Sequence, residues 1–459
     1  MVVVAAFAAI LITHLRSALA VDGWMALLSG RVVAQHGLPA HDTLTVWAHG
    51  RPWVDQQWLA QLVLYELERV GGLPLVLLVH AALVIGAFAG AALLARRLGG
   101  SARSTTWVAV PVLVEYWRGA AIMRPQSFAF PLFVAVLWLL LDELRRPSWR
   151  VYLVLPLLVL WANVHGSVVV GSALVSGFAL CEIVSSLWTR PRSVRLRSIV
   201  LLVAPWLCVL ASPYATSLPH YYREIFSSGF ATYVTEWAPT TLTLLSAPAY
   251  LLALGGFWLI GRAGARTSAF EKLAFVGVTL LAFDAVRNVV WLALLSLIIL
   301  PRLLDTLRAP AVEPKRINRM LALAMLAGVA VATIGVAFEP NSWFIQQYPV
   351  KAGNAAAVAA GGQGRVFADE RYADWLVFEH PQLAGRIAYD SRFELLTASQ
   401  LRSVPEFRNL VAGWHRIVRG YSVFVLDRKS DAQPIKALLS ARQARAVSRQ
   451  DPVVVLQRR

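Results

Sequence analysis

Charged residues are scarce in this chain of 459 residues. Asp, Glu, Lys and Arg make up 15% of it, whereas hydrophobic residues make up 58% and the mean hydropathy is +0.58. Soluble domains average roughly 25% charged and 45–50% apolar residues. The apolar residues fall in blocks of about 16–22, a length that suits the hydrocarbon core of a bilayer. The composition excludes an ordinary soluble protein and indicates a polytopic α-helical membrane protein.

Cysteine and clustered basic sequence are also lacking. The two cysteines, Cys181 and Cys208, lie inside apolar blocks, so neither a disulfide framework nor a zinc site is expected. No run of Lys and Arg with interleaved aromatic residues occurs, and the net charge of +17 therefore does not indicate a nucleic-acid partner. The basic residues instead concentrate in alternate loops, which is a signal of membrane topology.

The positive-inside rule assigns the Arg-rich loops to the cytoplasm. These loops contain Arg96, Arg97 and Arg103; Arg145, Arg146 and Arg150; Arg190, Arg192, Arg195 and Arg197; Arg262, Arg266 and Lys272; and Arg302, Arg308, Lys315, Arg316 and Arg319. The segment 21–72 and the C-terminus are then outside, in a multi-pass protein of the bacterial inner membrane. We predict about eleven spans, at 1–20, 73–95, 105–121, 126–144, 150–165, 167–188, 199–212, 247–262, 271–285, 288–303 and 320–338.

The chain is expected to divide near residue 338. Residues 1–338 form the transmembrane module, and residues 339–459 form an extracytoplasmic α/β domain. Within that domain the sequence predicts strands at 365–368, 386–390, 421–426 and 453–456 and helices at 372–379, 398–411 and 433–442. Because strands and helices alternate, we expect a mainly parallel sheet.

The first outer loop, residues 21–72, is far longer than a connector requires. Its sequence predicts two helices, at 23–36 and 54–70. The second helix lies between Pro52 and Gly71-Gly72, which are typical helix boundaries. The second helix carries one apolar face. We therefore expect both helices to lie along the membrane surface.

Acidic residues stand at the start of both loop helices. Asp22 opens the first, Asp55 opens the second, and Asp42 lies between them. Helix capping explains such aspartates, because the carboxylate accepts a backbone N–H and its charge suits the helix dipole. A carboxylate at the outer surface is also suited to act as a general base or a metal ligand. The two explanations are compatible, since capping fixes the position of the carboxylate.

Further polar side chains fall where the predicted spans meet the same outer side. They are Arg124, His165, Tyr214, Glu236 and Arg287. Ionisable groups near membrane depth are costly and are functional candidates, although arginines also extend to the interface and histidines are also buried in helix bundles. Acids and arginines at one outer cavity suit transfer from a lipid phosphate. A carboxylate would take the acceptor's proton, and arginines would hold the leaving phosphate.

Several stretches carry a resemblance to a known superfamily. They are Asp22-Gly23-Trp24, Asn163-Val164-His165-Gly166, Ser212-Pro213-Tyr214, Glu236-Trp237, Arg287-Asn288, Val366-Phe367-Ala368-Asp369 and Tyr389-Asp390-Ser391-Arg392-Phe393-Glu394-Leu395. Together with the long first outer loop, they resemble a bacterial branch of the GT-C superfamily of membrane glycosyltransferases. The resemblance covers nearly the whole chain.

The resemblance implies an inverting enzyme that uses a polyprenyl-phosphate sugar as its donor. The acid after the first span is catalytic or metal-binding in that superfamily, which carries over to Asp22 and, less directly, to Asp55. Some members use a divalent cation such as Mg²⁺ or Mn²⁺, which Asp22 and Asp55 would hold here. Arg124, His165, Arg287, Tyr214 and Glu236 would contact the donor. The sequence departs from better-known members, because it has no later Asp-x-Asp pair and no Trp-Trp-Asp-Tyr-Gly box.

The expected partners are a lipid-linked sugar donor, membrane lipids and a glycan or protein acceptor of the cell envelope, with no nucleic acid. Two other functions remain open. One is a transporter or flippase for a lipid-linked glycan, although the chain has no visible inverted repeat. The other is a non-catalytic envelope assembly protein in which the C-terminal domain is the working part.

Overall fold

The computed structural model describes residues 1–189, 192–227, 233–307 and 315–459. Arg190 and Arg308, two of the basic residues used to predict the topology, lie outside these ranges. The helices are α1 (Val2–His14), α2 (Val21–His36), α3 (Trp58–Arg97), α4 (Ala102–Ala120), α5 (Ala129–Glu143), α6 (Val154–Val164), α7 (Val168–Thr189), α8 (Arg192–Val209), α9 (Leu218–Ser227), α10 (Ala247–Arg262), α11 (Ala269–Asp284), α12 (Val289–Leu304), α13 (Lys315–Ala337), α14 (Asn341–Phe344), α15 (Val350–Ala360), α16 (Glu370–Glu379), α17 (Ala398–Arg408) and α18 (Ala432–Ser440). The strands are β1 (Val366–Ala368), β2 (Val423–Asp427), β3 (Ala444–Gln450) and β4 (Val453–Arg458).

The chain forms two compact units, each built from segments that are distant in sequence. The helical unit comprises Met1–Ala18, Gly71–Thr216 and Val234–Glu339, and the sheet unit comprises Leu19–Val70, Ser217–Tyr233 and Pro340–Arg459. The C-terminal segment of the sheet unit begins close to the boundary predicted at 338. Most of the first outer loop, which we had grouped with the transmembrane module, packs in the sheet unit.

The core of the helical unit surrounds α12, a helix whose side chains are almost all buried. Trp291 on this helix packs against three aromatic rings, with centroid distances of 5.6 Å to Phe130, 5.0 Å to Phe133 and 5.9 Å to Trp161. Aromatic side chains bury large areas and fix the packing of neighbouring helices. By contrast, α13 is mostly exposed along its apolar length.

Five helical segments in the described ranges are long and apolar enough to cross a membrane. They are Trp58–Arg97, Pro125–Glu143, Val168–Ser185, Val286–Leu307 and Asn318–Ala337. Val2–Ser17 and Val21–His36 meet this measure only as a pair, and they are bent by 72° at the break between them. Each of the eleven predicted spans coincides with a helix, but the number that cross the membrane stays a prediction.

The two helices predicted in the first outer loop are present, with different bounds. The first is α2. The second begins at Trp58 rather than near residue 54, and it continues as α3 through a kink at Gly71 and Gly72. Gly72 has φ 65° and ψ −169°, a backbone conformation that essentially only glycine adopts. The Gly-Gly pair therefore bends the chain where the sequence predicted a complete stop.

The sheet has the strand order β1-β2-β4-β3, and our expectation of a mainly parallel sheet is wrong. Only β1 and β2 pair in parallel, whereas β4 pairs antiparallel with both β2 and β3. We did not predict β3. The segment 386–390 is not a full strand either, because Ile387 makes only isolated parallel bridges, to Val366 and to Thr45.

Residues of the first outer loop extend this sheet at the edge next to β1. The backbone N–H of Val46 donates to the carbonyl of Ile387 at 2.8 Å, and that of Trp47 donates to Ala388 at 2.9 Å. The Trp47 ring stacks on Tyr389 with centroids 4.9 Å apart and an interplanar angle of 19°. The loop is thus a structural part of the sheet unit, and its aspartates are held close to the residues that follow β1.

Candidate functional site

A buried guanidinium lies at the centre of the polar core of the sheet unit. Nη2 of Arg392 donates to Oδ1 of Asp42 at 2.6 Å and to Oδ2 of Asp390 at 2.5 Å, and its Nε donates to the same Asp390 oxygen at 3.0 Å. The guanidinium also lies 4.2 Å from the centroid of the Trp53 ring. Two carboxylates and an aromatic face therefore hold Arg392 in one position.

Local turns orient both carboxylates toward this arginine. Asp42 accepts the backbone N–H groups of Leu44 at 3.2 Å and Thr45 at 3.1 Å, and it also accepts the Thr45 hydroxyl at 2.8 Å. Such side-chain to backbone bonds are typical of aspartate in tight turns. Asp390 accepts the N–H of Arg392 in the same manner, at 3.0 Å. Local hydrogen bonds thus orient the two acids toward the long-range contact with Arg392.

Asp55 is a buried carboxylate whose two oxygens differ in their hydrogen bonding to the described part of the chain. Its Oδ1 accepts the N–H of Gln57 at 3.4 Å, and its Oδ2 accepts no hydrogen bond from the described residues. Burial raises the pKa of Asp55 to about 7, although the Gln57 N–H, the charge of Arg392 and the nearby Gln61 side chain act to lower it. A carboxylate with a pKa near neutrality is suited to accept a proton in a reaction at pH 7.

Asp374 adds a further acid to the sheet unit. Its Oδ2 accepts the N–H of Ser391 at 3.3 Å. Burial, followed by the charge of Asp390, raises the pKa of Asp374 well above its usual range. Burial therefore favours the protonated form of Asp374, whereas Asp390 is paired with Arg392.

Asp22 lies in the first turn of α2 and is half-buried. The helix begins after Ala20, and no side chain caps it, so Asp22 favours the helix through its charge near the N-terminus rather than as the capping residue. Burial raises the pKa of Tyr348, and the charges of Asp374 and Asp22 raise it further. This tyrosine packs edge-on against Trp24 at 5.4 Å. Asp22 therefore belongs to the same polar region of the sheet unit.

The predicted phosphate-binding residues lie in the helical unit. Arg124 forms a two-pronged ion pair with Glu236, in which Nη1 donates to Oε2 at 2.8 Å and Nη2 donates to Oε1 at 2.5 Å. Arg287 lies 4.5 Å from the centroid of the Trp237 ring. Burial acts to raise the pKa of Glu236, but the bond to Arg124 and the charges of Arg124 and Arg287 outweigh it and lower that pKa. Glu236 is therefore ionised.

His165 and Tyr214, in the same unit, contact residues that are close to them in the sequence. His165 follows the last residue of α6, and its Nδ1 lies 2.7 Å from the hydroxyl of Ser167. The N–H of Tyr214 donates to the Ser212 hydroxyl at 3.4 Å. Asn163 connects the two segments, because its side chain donates to the carbonyl of Ala211 at 2.8 Å. This link keeps the ends of α6 and α8 together.

Of the seven residues predicted from sequence, the structure places two in the sheet unit and five in the helical unit. Arg124, Glu236 and Arg287 act on one another directly. The prediction missed Arg392, Asp390 and Asp374. Asp390 and Arg392 lie in the Asp390-Ser391-Arg392 segment, which is one of the stretches that resemble the GT-C superfamily.

From sequence, Asp22 and Asp55 are the expected ligands of a divalent cation. Within the described ranges, no group of three or more His, Cys, Asp or Glu side chains is arranged to hold a metal ion. Arg392 stands between Asp42 and Asp390 and supplies positive charge to both.

Comparison with solved structures identifies the fold. ArnT from Cupriavidus metallidurans in the apo state has a TM-score of 0.56 and 15% identity, over 99% of this chain and 96% of ArnT. ArnT bound to undecaprenyl phosphate has a TM-score of 0.55 and 14% identity, over 98% of this chain and 97% of ArnT. Both are GT-C membrane enzymes. The chain has the GT-C fold.

A second GT-C protein leads to the same conclusion. The apo form of an oligosaccharyltransferase from Archaeoglobus fulgidus has a TM-score of 0.56 and 10% identity, over 92% of this chain and 69% of the archaeal protein. Neither the sequence profiles of known protein families nor the curated proteins matched the chain. The GT-C resemblance predicted from sequence is thus confirmed at the level of the fold.

Proposed function

We propose that this protein transfers a sugar from a polyprenyl-phosphate donor to an acceptor of the cell envelope on the outer face of the bacterial inner membrane. One observation carries the proposal: the GT-C fold extends over 98% of the chain in the comparison with ArnT bound to undecaprenyl phosphate. Because the ArnT structure contains undecaprenyl phosphate, we propose a polyprenyl phosphate as the lipid part of the donor. The predicted eleven spans, with Arg-rich loops in the cytoplasm, support the outer orientation.

The carboxylates of the sheet unit provide the base for this reaction. The acceptor hydroxyl would form a bond to the anomeric carbon while its proton passes to Asp22 or Asp55. The bond from that carbon to the phosphate oxygen would break, and its electron pair would leave on the polyprenyl phosphate. Asp55 suits the role because its Oδ2 accepts no hydrogen bond from the described residues and its pKa is about 7. Asp22 is the other candidate for the base, because it directly follows the first predicted span.

The arginines of the helical unit provide the charge that the leaving phosphate needs. Arg124 already holds a carboxylate through two parallel hydrogen bonds, and guanidinium groups hold phosphate with the same geometry. Arg287 adds a second positive charge. His165 and Tyr214 are further candidates for contact with the donor.

A transfer assay with the protein in nanodiscs tests this function. Labelled polyprenyl-phosphate sugars and membrane extract would be supplied to wild type, Asp22→Asn and Asp55→Asn. We expect loss of the general base to lower the transfer rate at least ~100-fold. Asp451→Asn is the matched control, because Asp451 is an exposed partner of Arg428 in the same unit and its loss should leave the rate unchanged.

Each outcome separates the proposed functions. A large loss in only one of the two variants identifies the base. Full activity in both variants would refute the assignment of a base to these residues. Movement of a lipid-linked glycan across the bilayer without transfer would instead favour the flippase, and an inert protein that retains its cellular role would favour the assembly protein.

A further inference from the structure

The ion pair between Arg124 and Glu236 has the geometry of an occupied oxyanion site. Both terminal nitrogens of Arg124 donate to the two carboxylate oxygens of Glu236, at 2.8 and 2.5 Å. A phosphate accepts from arginine through the same pair of parallel bonds. Glu236 therefore occupies the position that a phosphate would take on this guanidinium. This differs from our prediction from sequence, which grouped Glu236 with the residues that bind phosphate.

The two partners differ in their exposure to solvent. The side chain of Arg124 is 16% exposed, whereas that of Glu236 is 40% exposed. Glu236 is the more exposed partner, so its carboxylate can turn into water more readily than Arg124 can, at the expense of the ion pair. A short helical turn at Thr235–Trp237 carries Glu236, and the chain after it is fixed, because Thr240 bonds to the carbonyls of Phe283 at 3.1 Å and Ala282 at 2.7 Å. Rotation of the glutamate side chain, with this backbone in place, would free the guanidinium.

The local charge depends on where Glu236 lies. With the glutamate paired, Arg124, Arg287 and Glu236 together carry one positive charge. With the glutamate turned away, the two arginines present two positive charges. A lipid-linked sugar phosphate is a diester with one negative charge, whereas the phosphate monoester released by transfer carries about −1.5 to −2 at pH 7. The two arginines therefore hold the product more strongly than the donor, and some competing group must help to release it.

We propose that Glu236 is a displaceable counter-ion of a lipid-phosphate site on Arg124 and Arg287: the phosphate of the donor displaces it, and its return to Arg124 after transfer helps to expel the polyprenyl phosphate. This inference rests on the proposed function, because it takes the phosphate of a polyprenyl lipid as the ligand. To the proposed function it adds a role for Glu236, which limits how tightly the protein binds the released polyprenyl phosphate. Glu236 repels the phosphate that Arg124 attracts.

The test is a binding titration of undecaprenyl phosphate to the full-length protein in nanodiscs. Glu236→Gln removes the competing charge and keeps the size of the side chain, so we expect its Kd to fall about tenfold, which is 1.4 kcal/mol. Glu236→Asp keeps the charge on a shorter side chain and should give an intermediate Kd. Arg124→Gln should raise the Kd at least about tenfold. Glu66→Gln, at an exposed pair with Arg69, is the matched control and should leave the Kd unchanged.

Undecaprenol, which lacks the phosphate, separates the contribution of the lipid tail. Its affinity should be the same in wild type and Glu236→Gln. An equal or weaker affinity of Glu236→Gln for undecaprenyl phosphate, in a variant that unfolds at the wild-type temperature, would overturn the counter-ion role and leave the proposed function standing. Failure of the wild type itself to bind undecaprenyl phosphate would overturn both.

Discussion

At the scale of single residues, Arg392 compensates the negative charge of two buried carboxylates in the sheet unit. It is buried, it pairs with Asp42 and Asp390, and it lies over Trp53. Removing one partner of a buried ion pair leaves the other partner's charge uncompensated. The arginine therefore stabilises the contact between the first outer loop and the residues after β1, at a sequence separation of 350 residues.

We expect Arg392→Met to lower the free energy of unfolding by about 3–5 kcal/mol, because it leaves two buried carboxylates without their cation. Thermal unfolding of the purified variant would measure this loss. Arg428→Met is the control, since Arg428 pairs with Asp451 at an exposed site where such bonds contribute about 0–1 kcal/mol. Equal losses in the two variants would contradict a special role for Arg392.

The sequence revealed the candidate acids Asp22 and Asp55 more readily than Arg392. The two acids stand at predicted helix starts, which is a local pattern. Arg392 was missed because its partner Asp42 is distant in the chain, and the adjacent Asp390 does not by itself indicate that the guanidinium is buried. The same limit applies to Glu236, whose pairing with Arg124 spans 112 residues.

At the scale of elements, the kink in α3 depends on one backbone conformation. Gly72 has φ 65° and ψ −169°, where other residues are strained by about 1–3 kcal/mol. We expect Gly72→Ala to lower the free energy of unfolding by that amount. Gly86→Ala is the control within the same helix, because a methyl group there meets no atom within 4 Å and the backbone is helical. A Gly72→Ala protein as stable as Gly86→Ala would show that the kink tolerates a side chain.

Elements with a strong apolar pattern were predicted best. The hydrophobic residues of β1, β2 and β4, and those of the helices between them, were sufficient to predict these elements. β3 escaped prediction because its sequence, Ala-Arg-Ala-Val-Ser-Arg-Gln, has few apolar residues and only Ala444 is buried. The sheet is mixed because β4 runs antiparallel to both β3 and β2, whereas β1 and β2 are parallel. A prediction based on alternating strands and helices did not include the β3–β4 hairpin, which reverses the direction of β4.

At the scale of the whole molecule, the division into two units was only partly predictable. The change in composition near residue 338 marked the start of the C-terminal segment. The inclusion of Leu19–Val70 in the sheet unit rests on backbone bonds such as that from Val46 to Ile387, which connect residues more than 300 positions apart. The hydrophobic periodicity of a segment predicts its own secondary structure, but it does not predict which distant segment it pairs with.

The buried acids predict how pH affects the molecule. Burial raises the pKa of Asp55 and of Asp431 to about 7, and it raises that of Asp374 well above its usual range. The folded protein therefore binds protons up to about pH 7 that the unfolded chain has already lost. These acids lower stability as pH rises from about 4 to about 7, and their effect levels off above the folded pKa. His380, whose pKa is lowered by burial, acts in the opposite direction around and below about pH 6.5. Because His380 is present in both wild type and Asp55→Asn, the difference between these two proteins isolates Asp55.

We expect the unfolding temperature of wild type to fall relative to that of Asp55→Asn, which carries no titrating group at that position, as pH rises from about 5 to about 7. The difference should level off by about pH 8, because Asp55 is then ionised in both the folded and the unfolded protein. The transfer rate should change in the opposite direction if Asp55 is the base, because only its ionised form accepts a proton. Its pKa of about 7 then sets the midpoint of the rise. A transfer rate that rises with this midpoint in both wild type and Asp55→Asn would assign the base to another carboxylate. A difference between wild type and Asp55→Asn that stays constant from about pH 5 to about pH 8 would mean that Asp55 is already ionised in the folded protein.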